Sequence, residues 1–143
     1  MGFVEAVKAC FNNYANFEGR ASRSEFWWFR LFQILVAIGL FILAGIIAAI
    51  VGSASDDSNA AGAATAIPIL LIAIFYLGTL LPELAVAVRR LHDTNKSGFW
   101  LLIAFIPFGG IVLLVFFCTG SEYGPNRYGP NPLRPTNIAK TFE

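Results

Sequence analysis

Leu31–Gly52 has the sequence LFQILVAIGLFILAGIIAAIVG, and this stretch decides the fold class. Only Gln33 interrupts its apolar character. About 22 residues make a helix of roughly 33 Å. The hydrocarbon core of a bilayer is about 30 Å thick, so the stretch has the length of a transmembrane helix. The sequence therefore predicts an all-α membrane protein.

Two further apolar runs follow along the chain. Ala66–Val88 contains Pro82 and Glu83, and Phe99–Cys118 contains Pro107. We therefore expect three transmembrane segments, over about 31–52, 66–88 and 99–118. Proline removes a helical hydrogen bond, so a kink is expected at each proline. For the third segment, a kinked full span is preferred to a re-entrant hairpin, whose backbone a membrane tolerates only where protein or water covers it.

The remaining chain divides into an N-terminal helix, a loop and a tail. The apolar residues of segment 1–18 share one helical face: Phe3, Val4, Val7, Phe11 and Tyr14. This pattern predicts an amphipathic helix that lies in the membrane interface or, equally, packs on its own bundle. Residues 19–118 form the predicted transmembrane domain, with Ser53–Thr65 as a solvated loop. Residues 119–143 are rich in Pro, Gly and Asn, which predicts an irregular tail.

The start of the first long helix carries a capping signal. Ser22 and Glu25 have the S-x-x-E spacing of a capping box, in which each side chain binds the other residue's backbone N–H. The helix is therefore expected to begin near Ser22, ahead of its apolar run. Trp27 and Trp28 then fall at headgroup level, where amphipathic aromatic rings gather.

Composition narrows the function classes. Apolar residues make up 57% of the chain and charged residues 13%, against about 25% charged in ordinary soluble domains. The net charge of +1 gives no basic field for nucleic acid. Two cysteines and one histidine predict neither a disulfide nor a metal site. No cofactor is expected.

The basic residues are placed asymmetrically. Seven of the ten Lys and Arg residues flank the first run or lie between the second and third, whereas Ser53–Thr65 has Asp56 and Asp57 and no basic residue. Positive residues favour the cytoplasmic side, which predicts a multi-pass protein with a cytoplasmic N-terminus. The tail's side is left open, because it carries three basic residues of its own.

Five basic residues are candidates for contact with anionic lipid headgroups: Arg20, Arg23, Arg30, Arg89 and Lys96. Such residues gain about 1 kcal/mol each near an anionic surface. The alternative is that they only determine the topology.

A polar stripe crosses the second run. Helical spacing places Tyr76, Thr79, Glu83 and Arg90 on one face, beside Pro82. A carboxylate inside a span is costly, so Glu83 is either an assembly partner for an arginine, which is preferred, or part of an ion or metabolite path.

Catalysis is not expected from this sequence. His92 and Asp93 are neighbours, but neighbours in a helix point about 100° apart, and no nucleophile accompanies them. A lipid-headgroup enzyme is therefore the least favoured hypothesis. Small residues at Ala44/Ala48 and Gly45/Ala49 allow close helix contact and a homo-oligomer.

Three sequence blocks resemble a known family. GRASRSEFWWF (19–29), RRLHDTNKSGFW (89–100) and NRYGPNP (126–132) are similar to signature blocks of the YhaH-like bacterial inner-membrane proteins, domain of unknown function 805. The resemblance implies a bacterial inner-membrane location and several membrane helices, and it implies no activity or catalytic residues. We therefore expect a non-enzymatic membrane component that acts by assembly or by binding lipid or protein. The alternative is a small transporter or channel subunit that uses Glu83.

Overall fold

The computed structural model describes residues 1–133; the last part of the predicted tail lies outside the described residues. The described chain is helical and contains no strand beyond one isolated bridge between Asn126 and Gly129. The elements are α1 (Phe3–Asn12), α2 (Arg23–Ala54), α3 (Ser58–Asp93), the 3₁₀ helix η1 (Gly98–Phe105) and α4 (Gly109–Cys118). The chain forms two compact units. Among the described residues, the first contains Met1–Phe29 and 81–133, and the second is Arg30–Leu80.

The two long helices have the length and surface of membrane spans. α2 has 32 residues and α3 has 36, and each contains an apolar window suited to crossing a bilayer. Only 6% of that window in α2 and 11% in α3 is buried inside the protein. A core helix of a soluble domain would be mostly buried, so these helices present apolar surface outward.

In the second unit the two long helices run antiparallel. Phe32 and Phe75 meet edge to face, with ring centroids 6.0 Å apart. Gln33 Nε2 donates to Thr79 Oγ1 at 3.2 Å. Both pairs lie far along the chain from the tight connection between α2 and α3, as antiparallel neighbours require.

The connection between the long helices is shorter than the predicted loop Ser53–Thr65. α2 ends at Ala54 and α3 already begins at Ser58. Asp57 Oδ1 accepts the Asn59 N–H at 2.9 Å, as an N-cap does. Four alanines follow within the next seven residues, and alanine has the highest helix propensity. The loop prediction was therefore wrong for most of its length.

The N-terminal helix packs on the start of α2 in the first unit. Ala6 and Cys10 are fully buried. Phe3 meets Trp28 edge to face at 5.8 Å, and Phe11 meets Phe29 at 5.7 Å. The helix therefore packs on its own bundle, and its position relative to a membrane interface stays a prediction.

α3 continues through the buried Pro82 and ends in a Schellman motif. Lys96 N–H donates to Leu91 C=O and Asn95 N–H donates to His92 C=O, both at 2.9 Å. Asn95 has φ 57°, the left-handed conformation that asparagine tolerates at this position. The chain therefore reverses sharply into η1.

The third apolar run folds back on itself instead of forming one kinked helix. Trp100, near the start of η1, meets Phe116, near the end of α4, with ring centroids 5.5 Å apart. Sixteen residues of straight helix would separate them by about 24 Å. Ile106 C=O accepts the Gly109 N–H at 2.9 Å across Pro107 and Phe108. The preferred expectation of one kinked helix was therefore wrong for the backbone, which forms the hairpin of the alternative.

Candidate functional site: a buried ion-pair cluster

Five charged residues of the first unit form what we call the ion-pair cluster: Arg20, Glu25, Arg89, Arg90 and Asp93. All five are buried. Two lie before or in the first turn of α2, and three lie in the last turns of α3. The termini of two helices thus bring together residues that are distant in sequence.

Asp93 is the acceptor at the centre of the cluster. Its Oδ1 accepts from Arg20 Nε at 3.0 Å, and its Oδ2 accepts from Arg90 Nη1 and from Ser121 Oγ. The Arg90 and Asp93 side chains are 0% exposed. The two guanidinium groups therefore compensate the negative charge of the buried carboxylate, and the hydroxyl donates a further hydrogen bond to it.

Arg20 ties the tail to the end of α3. Its Nη1 donates to Gly124 C=O at 2.8 Å and to Gly129 C=O at 3.4 Å. Its Nη2 donates to Glu122 C=O at 2.8 Å and to Asp93 C=O at 3.2 Å. Because the guanidinium has five donors in a fixed fork, one side chain holds four carbonyls and a carboxylate in place.

Arg90 binds backbone carbonyls at the end of α4. Its Nε donates to Phe117 C=O at 3.1 Å, its Nη2 donates to Thr119 C=O, and its Nη1 reaches Ala21 C=O at 3.4 Å. The last carbonyls of a helix lack partners within the helix, so a cationic donor is favourable there. This arginine therefore caps α4.

A second ion pair joins Glu25 to Arg89. Arg89 Nη1 donates to Glu25 Oε1 at 2.8 Å, and Arg89 C=O accepts the Ala21 N–H at 3.0 Å. Glu25 N–H donates to Ser22 Oγ at 3.2 Å, and α2 begins one residue after this serine. The Glu25 carboxylate itself turns to Arg89 and to the thiol of Cys10, 3.9 Å away, instead of back to Ser22.

Burial controls the chemistry of Cys10. The pKa of its thiol is raised from 9.0 to about 12, first because burial disfavours the thiolate and second because the Glu25 carboxylate repels it, while Arg89 partly offsets both. Since the thiolate is the nucleophile, this thiol is held in its inert form.

His92 is held by the chain on both sides. Its Nδ1 lies 3.0 Å from Gly19 C=O; a carbonyl can only accept, so this nitrogen carries the proton. The ring stacks on Tyr128 at 3.8 Å with an interplanar angle of 2°. The His92 carbonyl accepts from Asn126 Nδ2 at 2.9 Å. His92 therefore holds the tail against the end of α3. The carboxylate of its neighbour Asp93 is bound by Arg20 and Arg90.

The predicted polar stripe is divided between the two units. In the second unit, Tyr76 is exposed and Thr79 is buried, with its hydroxyl donating to Phe75 C=O at 2.9 Å. In the first unit, Glu83 is half-buried and Arg90 is engaged with Asp93.

The five predicted lipid contacts also fall into two groups. Arg20 and Arg89 are buried in ion pairs, whereas Arg23 and Arg30 are exposed and Lys96 is half-buried. Lys96 Nζ lies 4.7 Å above the Phe116 ring. Among residues 1–133, no group of three His, Cys, Asp or Glu residues is placed to hold a metal ion.

Sequence reasoning missed the tail's part in the cluster. Ser121, Asn126 and Tyr128 each contact the end of α3. The only sequence signal was that Asn126 and Tyr128 stand in the NRYGPNP block.

Residues 14–130 match the family described as "Protein of unknown function (DUF805)". The chain belongs to this family. The match spans every residue of the ion-pair cluster and the tail segment that docks on it. The five cluster residues lie in 19–29 and 89–100, two of the three blocks that carry the sequence resemblance, and Asn126 and Tyr128 of the third block dock on the end of α3.

Named relatives from Escherichia coli cover most of the chain. "Inner membrane protein YhaI" of strain K12 is 43% identical over 121 residues, 84% of this chain and 88% of that protein. "Inner membrane protein YhaH" of the same strain is 39% identical over 121 residues, 84% of this chain and 89% of that protein. No solved structure matches this DUF805 chain.

Proposed function

We propose that the chain is a multi-pass inner-membrane protein that works by binding, without catalysis, and that recruits anionic lipid headgroups at its cytoplasmic surface. Two relatives carry the name inner membrane protein, and α2 and α3 are suited to crossing a bilayer. The observation that carries the proposal is the ion-pair cluster, because its five charged residues are buried and bound to one another.

The cluster supports a structural role for these charges. A reaction centre needs a base or nucleophile with access to substrate. Here Asp93 accepts three side-chain donors, and His92 lies between a carbonyl and an aromatic ring. An ion path along the predicted stripe is less favoured, since Arg90 is committed to Asp93 and to the end of α4.

The orientation follows from the charges at the helix ends. Basic residues flank the start of α2 and the end of α3, while Ser55–Asp57, between the two helices, carries only acidic charge. Positive residues are retained in the cytoplasm, so the N-terminus is assigned there.

Two basic residues of the first unit are proposed as headgroup contacts. Arg23 is exposed on the first turn of α2. Lys96 sits at the base of the hairpin, where its ammonium covers the Phe116 ring. At about 1 kcal/mol each, two such charges favour an anionic lipid by about 2 kcal/mol, roughly thirtyfold in affinity.

Lipid retention tests this proposal. The double variant Arg23→Gln, Lys96→Gln and the wild-type chain are compared by native mass spectrometry after purification with phosphatidylglycerol and phosphatidylethanolamine. We expect the double variant to lose phosphatidylglycerol selectively. The control is Arg127→Gln, which removes an exposed charge from the tail and is expected to retain the lipid. Equal retention by the double variant and wild type would refute the lipid-binding role. The same spectra report whether the small-residue face at Gly45 and Ala49, exposed on α2, supports a homo-oligomer.

A further inference from the structure

The hairpin made by η1 and α4 is an apolar surface that the described residues of the first unit leave largely uncovered. Phe99–Cys118 contains no charged residue. At its tip Phe105 is 87% exposed and Phe108 is 81% exposed. A surface of this kind is too large and too apolar to face water.

The length of the hairpin matches half a bilayer. Eight residues of 3₁₀ helix rise about 16 Å and ten residues of α-helix rise about 15 Å. The hydrocarbon core is about 30 Å thick, so each arm reaches about its middle and cannot cross it.

The base of the hairpin is polar and bound to the ion-pair cluster. Arg90 holds Phe117 C=O and Thr119 C=O, and Arg23 Nη1 lies 3.4 Å from Cys118 C=O. Lys96 covers Phe116 at the same end. The apolar tip of the hairpin thus matches the acyl chains of one membrane leaflet, and its charged base matches the headgroups of the same leaflet.

The hairpin extends back along α3 and away from the cluster. A groove of about 490 Å³ is lined by Leu84 and Val88 of α3 and by Phe99, Leu102 and Phe105 of η1, among others. Gly98 lies so close to α3 that an added Cβ would come within 2.9 Å of Val88 Cγ1. The arm therefore runs beside the part of α3 that enters the membrane.

The backbone at the tip is suited to hydrocarbon. Pro107 has no N–H to satisfy, and Gly109 N–H donates to Ile106 C=O at 2.9 Å. Ile111 N–H donates to Phe108 C=O at 3.1 Å. Internal satisfaction of backbone groups is what the membrane interior requires.

We propose that the hairpin inserts into the acyl chains of the cytoplasmic leaflet without crossing the membrane, and that the tail returns to the side of the N-terminus. The same-side placement follows from Arg20, which binds Asp93 at the end of α3 and the tail carbonyls of Glu122 and Gly124. The choice of the cytoplasmic leaflet rests on the proposed orientation, and the same-side placement does not.

Cysteine labelling with a membrane-impermeant maleimide tests the insertion. Cys118 is exposed and Cys10 is buried, so Cys118→Ser removes the background label. Three variants in a Cys118→Ser background add reporters: Gly120→Cys in the tail, Glu18→Cys before α2 and Ser58→Cys at the start of α3. An added Cβ at Gly120 meets nothing within 4 Å. Labelling is compared in intact cells and in inverted membrane vesicles.

We expect Gly120→Cys and Glu18→Cys to label only in inverted vesicles, and Ser58→Cys only in intact cells. If Gly120→Cys follows Ser58→Cys while Glu18→Cys does not, the third run crosses the membrane and the hairpin is overturned, with the proposed function untouched. If all three are exchanged between the two preparations, the orientation is wrong while the same-side placement stands. If Glu18→Cys and Ser58→Cys label from the same side, α2 does not cross the membrane, and the proposal of two membrane spans is overturned.

The depth of the tip is read from Phe108→Cys in the same background. A tip in hydrocarbon resists the reagent from both sides and reacts only after the membrane is dissolved in detergent. Labelling in inverted vesicles would place the hairpin in water and overturn the insertion.

Discussion

Replacing Asp93 by asparagine removes the charge that holds two buried guanidinium groups. Asp93 is 0% exposed, and its two oxygens accept from Arg20, Arg90 and Ser121. Asparagine keeps one acceptor oxygen and presents an NH₂ group where the other accepted hydrogen bonds. Removing one partner of a buried ion pair costs about 3–5 kcal/mol, because the other charge stays buried without compensation.

The expected consequence is a large loss of stability. For a chain of this size, about 3–5 kcal/mol corresponds to a fall of about 10–20 °C in the unfolding midpoint. Thermal unfolding in detergent micelles, followed by tryptophan fluorescence, measures it. The matched control is Asp56→Asn, which makes the same change at an exposed position between α2 and α3 and is expected to shift the free energy of unfolding by less than about 0.5 kcal/mol. Equal midpoints for the two variants would refute the structural role of Asp93.

Three further outcomes are expected. Ser22→Ala removes the acceptor of the Glu25 N–H and should lower the free energy of unfolding by about 0.5–2 kcal/mol; unchanged amide exchange in the first turn of α2 would contradict it. Phe108 has φ 65° and ψ −2°, the values of the third residue of a type II turn, where glycine is preferred. Phe108→Gly should therefore stabilise the chain by about 1 kcal/mol in detergent unfolding, and a loss would mean that the ring matters more than the strain. Because the pKa of Cys10 is raised from 9.0 to about 12, its thiolate fraction at pH 8 is about a thousandfold below that of an unperturbed thiol. Mass spectrometry after alkylation should then find modification at Cys118 only, with Cys10 reacting as the pH approaches 12; equal rates at pH 8 would refute the burial.

The long helices were predictable because their signal is local. The apolar runs 31–52 and 66–88 both lie within long helices, α2 and α3, and Ser22 marks the start of α2 from its own turn. The loop between α2 and α3 was predicted too long, because Asp57 and the following alanines were read as loop composition when they cap and build a helix.

The ion-pair cluster was not predictable from local pattern. Arg20 and Asp93 are 73 residues apart, and nothing in the sequence distinguishes a buried arginine from one at the membrane surface. The acceptors on Glu122, Gly124 and Gly129 are backbone carbonyls, which carry no side-chain signature. Residues predicted to contact lipid were therefore assigned by charge alone.

The fold-back of the third run depends on the same distant contacts. Its length suits a span, and Pro107 is compatible with either a kink or a turn. Locally, the turn requires glycine at position 109, since an added Cβ there would lie 1.6 Å from the Ile103 carbonyl oxygen. What decides globally is Arg90, which holds Thr119 beside the end of α3.

The most direct test of the structural role of the ion-pair cluster is a double-mutant cycle on Glu25 and Arg89. The free energy of unfolding is measured for Glu25→Gln, for Arg89→Met and for the double variant. Each single change leaves its partner buried without compensation, whereas the double change removes both charges. We predict an interaction energy of about 1–3 kcal/mol, with the double variant well short of the sum of the single losses. Additivity within about 0.5 kcal/mol would contradict the account, because the two residues would then contribute independently.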